Sequence, residues 1–261
     1  MDAWLVGLIV GVMVALGAVG LFWPGWGIIP RWRHATRAGQ RVRIEDALKY
    51  LYESEVNGVV SSIQSVAGAV GLSVDEVGGV LQGLQARRLI LVDRDGIHLT
   101  ASGREMGLHV LRAHRLWESY LADQTGFPEV EWHGRADELE HGLSPVEVDA
   151  LSARLQHPIR DPHGDPIPTA EGEFSGLRGV PLTSAPLDQP LSILHLEDEP
   201  KAVYAELVAL GLHPGMSVRL VEISPHKIRL AAGGAEHVLD PLVATSISVT
   251  PLAQGKWIDE P

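Results

Sequence analysis

The 261-residue sequence contains no cysteine, which excludes disulfides and thiolate metal sites. Any transition metal must therefore be held by nitrogen and oxygen donors. The chain is also short of positive charge. Its net charge of −12 argues against a protein that coats nucleic acid non-specifically, because that binding depends on basic residues neutralising phosphates. Any contact with DNA has to be local. No nucleophile elbow, phosphate-binding loop or zinc-protease spacing occurs either, so a metal-dependent hydrolase has nothing to rest on and the chain reads as a non-enzyme.

What is present begins with an uncharged stretch over residues 3–30, long enough for the roughly 20 apolar residues that a bilayer core requires. Trp4 lies at one end and Trp23, Trp26 and Trp32 at the other, and Arg31, Arg33, Arg37, Arg41 and Arg43 follow without an acid between them. This pattern predicts a transmembrane helix near residues 3–22 that places the following domains in the cytoplasm, a single-pass protein of the cell membrane. A cleaved signal peptide would need a positive start, whereas the only charge before the apolar run is Asp2. The expected division is an anchor at 1–30, a basic juxtamembrane linker at 31–43, and soluble domains beyond.

Residues 44–100 read as a winged helix-turn-helix. Ile44, Ala47, Leu48, Leu51 and Tyr52 recur at helical spacing up to an Asn57-Gly58 stop. A short helix over 63–70 follows, then a turn in which Ser73 caps a helix over 74–88 with Val77, Val80, Leu81 and Leu84 inward. Leu89-Ile90-Leu91-Val92 and Ile97-His98-Leu99, flanking Asp93-Arg94-Asp95-Gly96, form the hairpin wing.

The next segment, 101–168, carries the chemistry. A long helix from about Ser102 presents His114 and Glu118 four apart, and a second helix presents His133, Asp137, Glu140 and His141 on one face. Any one of these suits a solvated surface. Together they supply the converging imidazole and carboxylate donors that manganese or iron(II) requires.

The stretches His114-Arg-Leu-Trp-Glu118, Glu131-Trp-His133-Gly-Arg-Ala-Asp137-Glu-Leu-Glu140-His141 and His157-Pro-Ile-Arg-Asp-Pro-His-Gly-Asp-Pro-Ile-Pro168 resemble the metal-binding and dimerisation domain of the DtxR/MntR family. The resemblance implies a metal-dependent transcriptional regulator acting as a homodimer. It implies a primary metal site of Asp46, Asp137, Glu140 and His141 and an ancillary site of His114, Glu118 and His133. Mn(II) or Fe(II) is the expected ion, with Asp46 and Asp137 favouring manganese where iron-sensing relatives carry softer ligands. Metal joining these positions would bias the winged helices of the dimer toward one orientation by its differential affinity.

One departure bears on DNA. The would-be recognition helix opens with Asp75 and Glu76 and contains Gly78, Gly79 and Gly83, while residues 41–100 carry six basic side chains against eight acidic ones. Acids repel phosphates, and each glycine costs a helix roughly 1 kcal/mol relative to alanine. Ser61, Ser62, Ser65, Gln82, Gln85 and Arg94 are the candidate DNA contacts that remain. The alternative is a membrane-bound metal sensor that regulates a metal transporter by protein contact without binding DNA.

After a linker at 169–185, residues 186–251 alternate strand-like segments with a helix near 201–211, predicting a small SH3-like β-barrel. The run from Ala205 to Arg219 resembles FeoA domains, which the family carries at its C-terminus. His195, His213, His226 and His237 read as ordinary surface or turn histidines, and Glu197 and Glu199 as surface acids. The expected fold is thus mainly α with small β: anchor helix, winged helix, helical dimerisation domain and C-terminal barrel.

Overall fold

The computed structural model describes residues 28–175 and 179–252, with side chains from residue 39 onward. The chain divides into two compact units, Met1–Gly107 and Leu108–Pro261. The membrane helix expected over residues 3–22 lies outside the described residues. No described helix is long and apolar enough to cross a membrane.

The first unit contains α1 (Ile28–Val56), α2 (Ile63–Ala69), α3 (Val74–Ala86) and a hairpin of β1 (Ile90–Val92) and β2 (Ile97–Leu99). Residues 31–43, expected as a linker, are helical and extend α1 toward its start. The physical reason is local. Proline stands only in the first turn, where its missing N–H costs nothing, and the Arg, Ala and Gln that follow are good helix formers. Ile44, Ala47, Leu48, Leu51 and Tyr52 form the buried stripe of α1, and Val77, Leu81 and Leu84 that of α3. Each fully buried leucine contributes on the order of 1.5–3 kcal/mol.

Capping fixes the helix-turn-helix ends. The Ser62 hydroxyl accepts from the Ser65 N–H, and the Ser73 hydroxyl accepts from the Glu76 N–H while the Glu76 carboxylate accepts from the Ser73 N–H. In the wing, Ile90 pairs with Leu99 and Val92 with Ile97. Asp93 Oδ1 accepts from the N–H groups of Asp95 and Gly96, closing the turn between the strands.

Helix α4 (Ala101–Gln124) begins in the first unit and continues into the second, where α5 (Trp132–Leu139) and α6 (Pro145–Arg154) follow. Ala113, Leu116, Val148 and Ile167 form a small core there. Beyond it lie β3 (Val180–Pro181), β4 (Pro190–Leu196), α7 (Lys201–Ala209), β5 (Ser217–Ile223), β6 (Ile228–Ala232), β7 (Ala235–Leu239), α8 (Pro241–Thr245) and β8 (Ile247–Pro251). All strand pairs are antiparallel, in the order β3-β8-β4-β5-β6-β7. Leu191, Ile193, Leu207, Leu220, Leu230 and Val249 lie in its core.

The expected barrel is not closed. Strands β3 and β7 end the order without pairing to each other. Strand β3 is two residues long and ends in proline, which has no N–H for a further ladder and suits an edge. Strands β3 and β7 and helix α8 were not expected from the pattern.

Candidate metal centre

Helical spacing positions the first donors. His114 and Glu118 lie one turn apart on α4, and His133 and Asp137 one turn apart on α5. After Leu139 the chain tightens into a 3₁₀ turn at Glu140–Gly142. The single helical face expected to carry His133 through His141 is therefore interrupted. The tighter turn leaves Glu140 1% exposed.

Three groups converge closely. His114 Nε2 lies 3.0 Å from Glu118 Oε1 and 3.3 Å from His133 Nδ1, and His133 Nδ1 lies 3.2 Å from Glu118 Oε1. The other face of the His114 ring meets the second pair: Nδ1 is 2.5 Å from Glu140 Oε2 and 3.3 Å from Asp137 Oδ1. His141 Nε2 is 3.7 Å from Glu140 Oε1. Asp46 lies half-buried on α1 in the first unit.

The C-terminal region adds a residue that the sequence pattern did not single out. Asp198 Oδ2 lies 2.7 Å from His133 Nδ1, and Glu199 Oε1 lies 3.6 Å from His133 Nε2. A cavity of about 500 Å³ reaches this edge, lined by His133, Asp137, Asp198 and Glu199 among others. Glu199 is exposed, as expected of a surface acid. His195 is not a surface histidine. Its side chain is mostly buried, 3.5 Å from Asp165 and 3.7 Å from Glu197. The turn at Gly164, which packs against the Leu194–His195 backbone, lies beside it.

Charge is strongly interdependent across the cluster. Burial alone would push Glu118 up, but the His114 imidazole beside it holds the carboxyl well below the usual range. Burial likewise opposes protonation of His133, yet hydrogen bonds to Asp198 and Glu118 hold its pKa up at about 11. Burial works against ionised Asp198 and is outweighed by His133, which holds the carboxyl down. Without a cation, the site is thus an imidazolium surrounded by carboxylates.

The donors suit a divalent ion with borderline or hard preferences, since they are imidazole nitrogens and carboxylate oxygens throughout. His114, Glu118 and His133 each offer a ligand atom within 4.8 Å of the others, as do His114, Asp137 and Glu140. Imidazolium protons would leave as an ion took their place.

The candidate DNA contacts divide. Ser61 is 3% exposed, bridged to Ile97 at the wing, so its side chain is unavailable to DNA. Ser62 is exposed but caps α2 with Ser65. Gln82, Gln85 and Arg94 are exposed.

Residues 100–169 match the family of the iron dependent repressor metal binding and dimerisation domain. The chain is 32% identical over 155 residues to the iron-dependent repressor IdeR of Mycobacterium tuberculosis (strain ATCC 25618 / H37Rv), an alignment covering 56% of this chain and 67% of that protein. It is 46% identical over 78 residues to a probable metal transport system membrane protein of Chlamydia trachomatis serovar D, covering 30% of this chain and 17% of that one. Its fold superposes on a manganese-dependent transcriptional repressor in complex with manganese, with a TM-score of 0.71 and 27% identity, covering 79% of this chain and all of that one. The expected single-pass placement in the cell membrane is corrected. The relatives matched over two thirds or more of their length are named as repressors, and no described helix is long and apolar enough to cross a membrane.

Proposed function

Because the chain belongs to the DtxR/IdeR family of metal-dependent repressors, we propose that it is a DNA-binding transcriptional regulator switched by Mn(II) or Fe(II) and acting as a homodimer. The observation that carries this reading is the buried convergence of His114, Glu118 and His133 within the matched domain. These residues form the ancillary metal site, and Asp137, Glu140 and His141 belong to the primary one. Asp46 is assigned to the primary site by the sequence resemblance alone. The oxygen-rich donors favour Mn(II) over Fe(II).

A bound cation would supply charge neutralisation and a fixed geometry to carboxylates that otherwise repel. His114 orients toward both donor groups, through Nε2 to Glu118 and Nδ1 to Glu140. This single ring couples the occupancy of one site to the ligand geometry of the other. Occupancy alters DNA affinity only by the difference in ion affinity between the competent and incompetent arrangements.

The domain assignment follows the family. Residues 44–100 form the winged helix-turn-helix, 101–168 the metal-binding and dimerisation domain and 186–251 a FeoA-like module, to which the end of the expected 169–185 linker adds the edge strand β3 and the buried Leu182. The order β3-β8-β4-β5-β6-β7, with α7 between β4 and β5, supports the last of these.

The test is DNA binding by the full chain to its own upstream region, with and without Mn(II), at stated salt. Metal-dependent, sequence-selective retardation is the expected result. Metal binding without DNA binding would refute the regulator reading and favour contact with a metal transporter. The Asp75 and Glu76 carboxylates at the start of α3 and the 78-residue likeness to a transport system protein support that second reading.

A further inference from the structure

The outer face of the C-terminal sheet carries a cavity of about 680 Å³. Its floor follows one row of cross-strand partners. Pro190 on β4 lies opposite Arg219 on β5, Arg219 opposite Ala231 on β6, and Ala231 opposite Glu236 on β7. Partners in register share a face of a sheet, and the neighbouring row of Leu191, Val218 and Ala232 is buried in the core. The Pro190 row therefore faces outward. Small residues form its far half, where the turn from β6 to β7 reads Ala231-Ala232-Gly233-Gly234-Ala235. A Cβ added at Gly234 would meet nothing within 4 Å.

The chain itself leads into this cavity. Pro251 at the end of β8 lies opposite Leu191, and the Leu252 N–H donates to the Pro190 carbonyl at 3.1 Å. The last described residue thus stands at the β4 end of the row. The sequence continues as Ala253-Gln-Gly-Lys256-Trp257-Ile258-Asp259-Glu260-Pro261. From β4 to β7 the row spans three strand spacings, about 14 Å. The five residues from Ala253 to Trp257 reach up to about 17 Å when extended, enough to carry the Trp257 ring over Ala231 and the glycine turn.

The chemistry of the two sides is complementary. Trp257 and Ile258 are an apolar pair between charged neighbours, and a tryptophan removes roughly 150–250 Å² from water when it is covered. At the rim, Asp188 and Arg219 have no ion-pair partner among the described residues, and Glu236 meets Arg229 at 3.6 Å. The segment offers Lys256 to the two acids and Asp259 and Glu260 to Arg219.

We propose that residues 253–261 cross this face and dock in the cavity of their own chain, with Trp257 seated against Ala231 and the Gly233-Gly234 turn, Lys256 paired to the acidic rim and Asp259 to Arg219. The route from Leu252 is short enough within one chain that no second copy is needed. While the segment is docked, this face of the module is closed to other partners.

The native chain has no cysteine, so one introduced thiol can carry a reporter in the full-length protein. Ser217→Cys places it at the exposed edge of the cavity, where an attached bimane is quenched on contact with tryptophan. Quenching is expected, lost when Trp257→Phe is added and weakened when Arg219→Glu is added. Bimane on His226→Cys, in the exposed turn between β5 and β6, should not respond to Trp257→Phe. Docking also shields the peptide bond after Lys256. Trypsin should cut there more slowly in the unlabelled wild-type chain than in a free peptide of residues 250–261, and Arg219→Glu should restore the faster rate. Equal bimane fluorescence with and without Trp257 overturns the proposal, as does cleavage after Lys256 at the rate of the free peptide. Quenching that returns to labelled Trp257→Phe chains on mixing with unlabelled wild-type chains overturns docking within one chain and assigns the cavity to the segment of a second copy.

Discussion

Asp198 Oδ2 and His133 Nδ1 stand 2.7 Å apart, which ties the segment after β4 to the start of α5 across 65 residues of sequence. In the metal-free chain this contact holds His133 protonated and oriented. With an ion present, the same carboxylate orients the imidazole or joins it as a ligand. Groups that orient metal ligands typically affect affinity by about 10- to 100-fold. Asp198→Ala should therefore weaken Mn(II) binding by about that factor in a competition titration. Unaltered affinity would show that Asp198 has no part in the site.

Metal affinity should rise with pH. His133 keeps its proton up to about pH 11 in the metal-free chain, and an ion can bind its ring nitrogen only after the proton leaves. Below that pH, each displaced proton makes affinity rise about tenfold per unit. Calorimetric titrations in buffers of different ionisation enthalpy should detect proton release at neutral pH. Affinity that does not change with pH would remove His133 from the ligands.

On the alkaline side, His133 gives the metal-free chain the opposite trend in stability. A raised His133 pKa contributes stability that is fully present below its ordinary value of 6.5 and is lost as pH rises through about 11. The depressed Glu118 and Asp198 contribute stability above their ordinary values and lose it as pH falls. Added Mn(II) should therefore raise the melting temperature more at alkaline than at mildly acidic pH.

Much of this site was legible wherever donors recur one helical turn apart. His114 with Glu118 and His133 with Asp137 lie at that spacing, and the structure brings them together. Glu140 was read on the same helix, but the chain narrows to a 3₁₀ turn there, and no residue between Leu139 and Gly142 breaks helical periodicity in the sequence. Asp161, His163 and Asp198 follow no period, because they sit in turns and loops and approach Glu118 only through tertiary folding. The signal available was the density of Asp and His in residues 157–168. His195 was misjudged because a short strand does not show which of its faces is covered. The helices and hairpin of residues 44–100 were the most legible elements, since apolar spacing and Ser73 capping agreed.

The acidic start of α3 gives a direct probe of DNA recognition. Asp75 is exposed in the first turn. Asp75→Arg replaces a repelling charge with one that can meet a phosphate. If α3 faces DNA, binding should tighten, and the slope of log affinity against log salt should steepen by about 0.9 for each additional phosphate neutralised. The same variant forfeits a favourable helix-dipole interaction worth about 0.3–1 kcal/mol, which thermal unfolding should register separately. A stability change without any change in DNA binding would place α3 away from DNA.

Gly164 links the fold to the metal chemistry. Its φ of +97° is one that side chains rarely adopt, and a Cβ there would meet the Leu194 carbonyl oxygen at 2.0 Å. Gly164→Ala must therefore shift the turn away from β4 as well as bear the strained conformation, which alone costs about 1–3 kcal/mol. The urea midpoint should fall with little change in the slope of unfolding. Because His163 precedes this glycine in the same turn and its Nδ1 lies 3.5 Å from Glu118 Oε1, Mn(II) affinity should fall too, although the altered residue carries no donor. Gly126→Ala provides the comparison, since a Cβ there meets nothing within 4 Å. It should leave metal affinity unchanged. Equal effects from the two substitutions would indicate that the turn does not need to abut β4 to hold its donors.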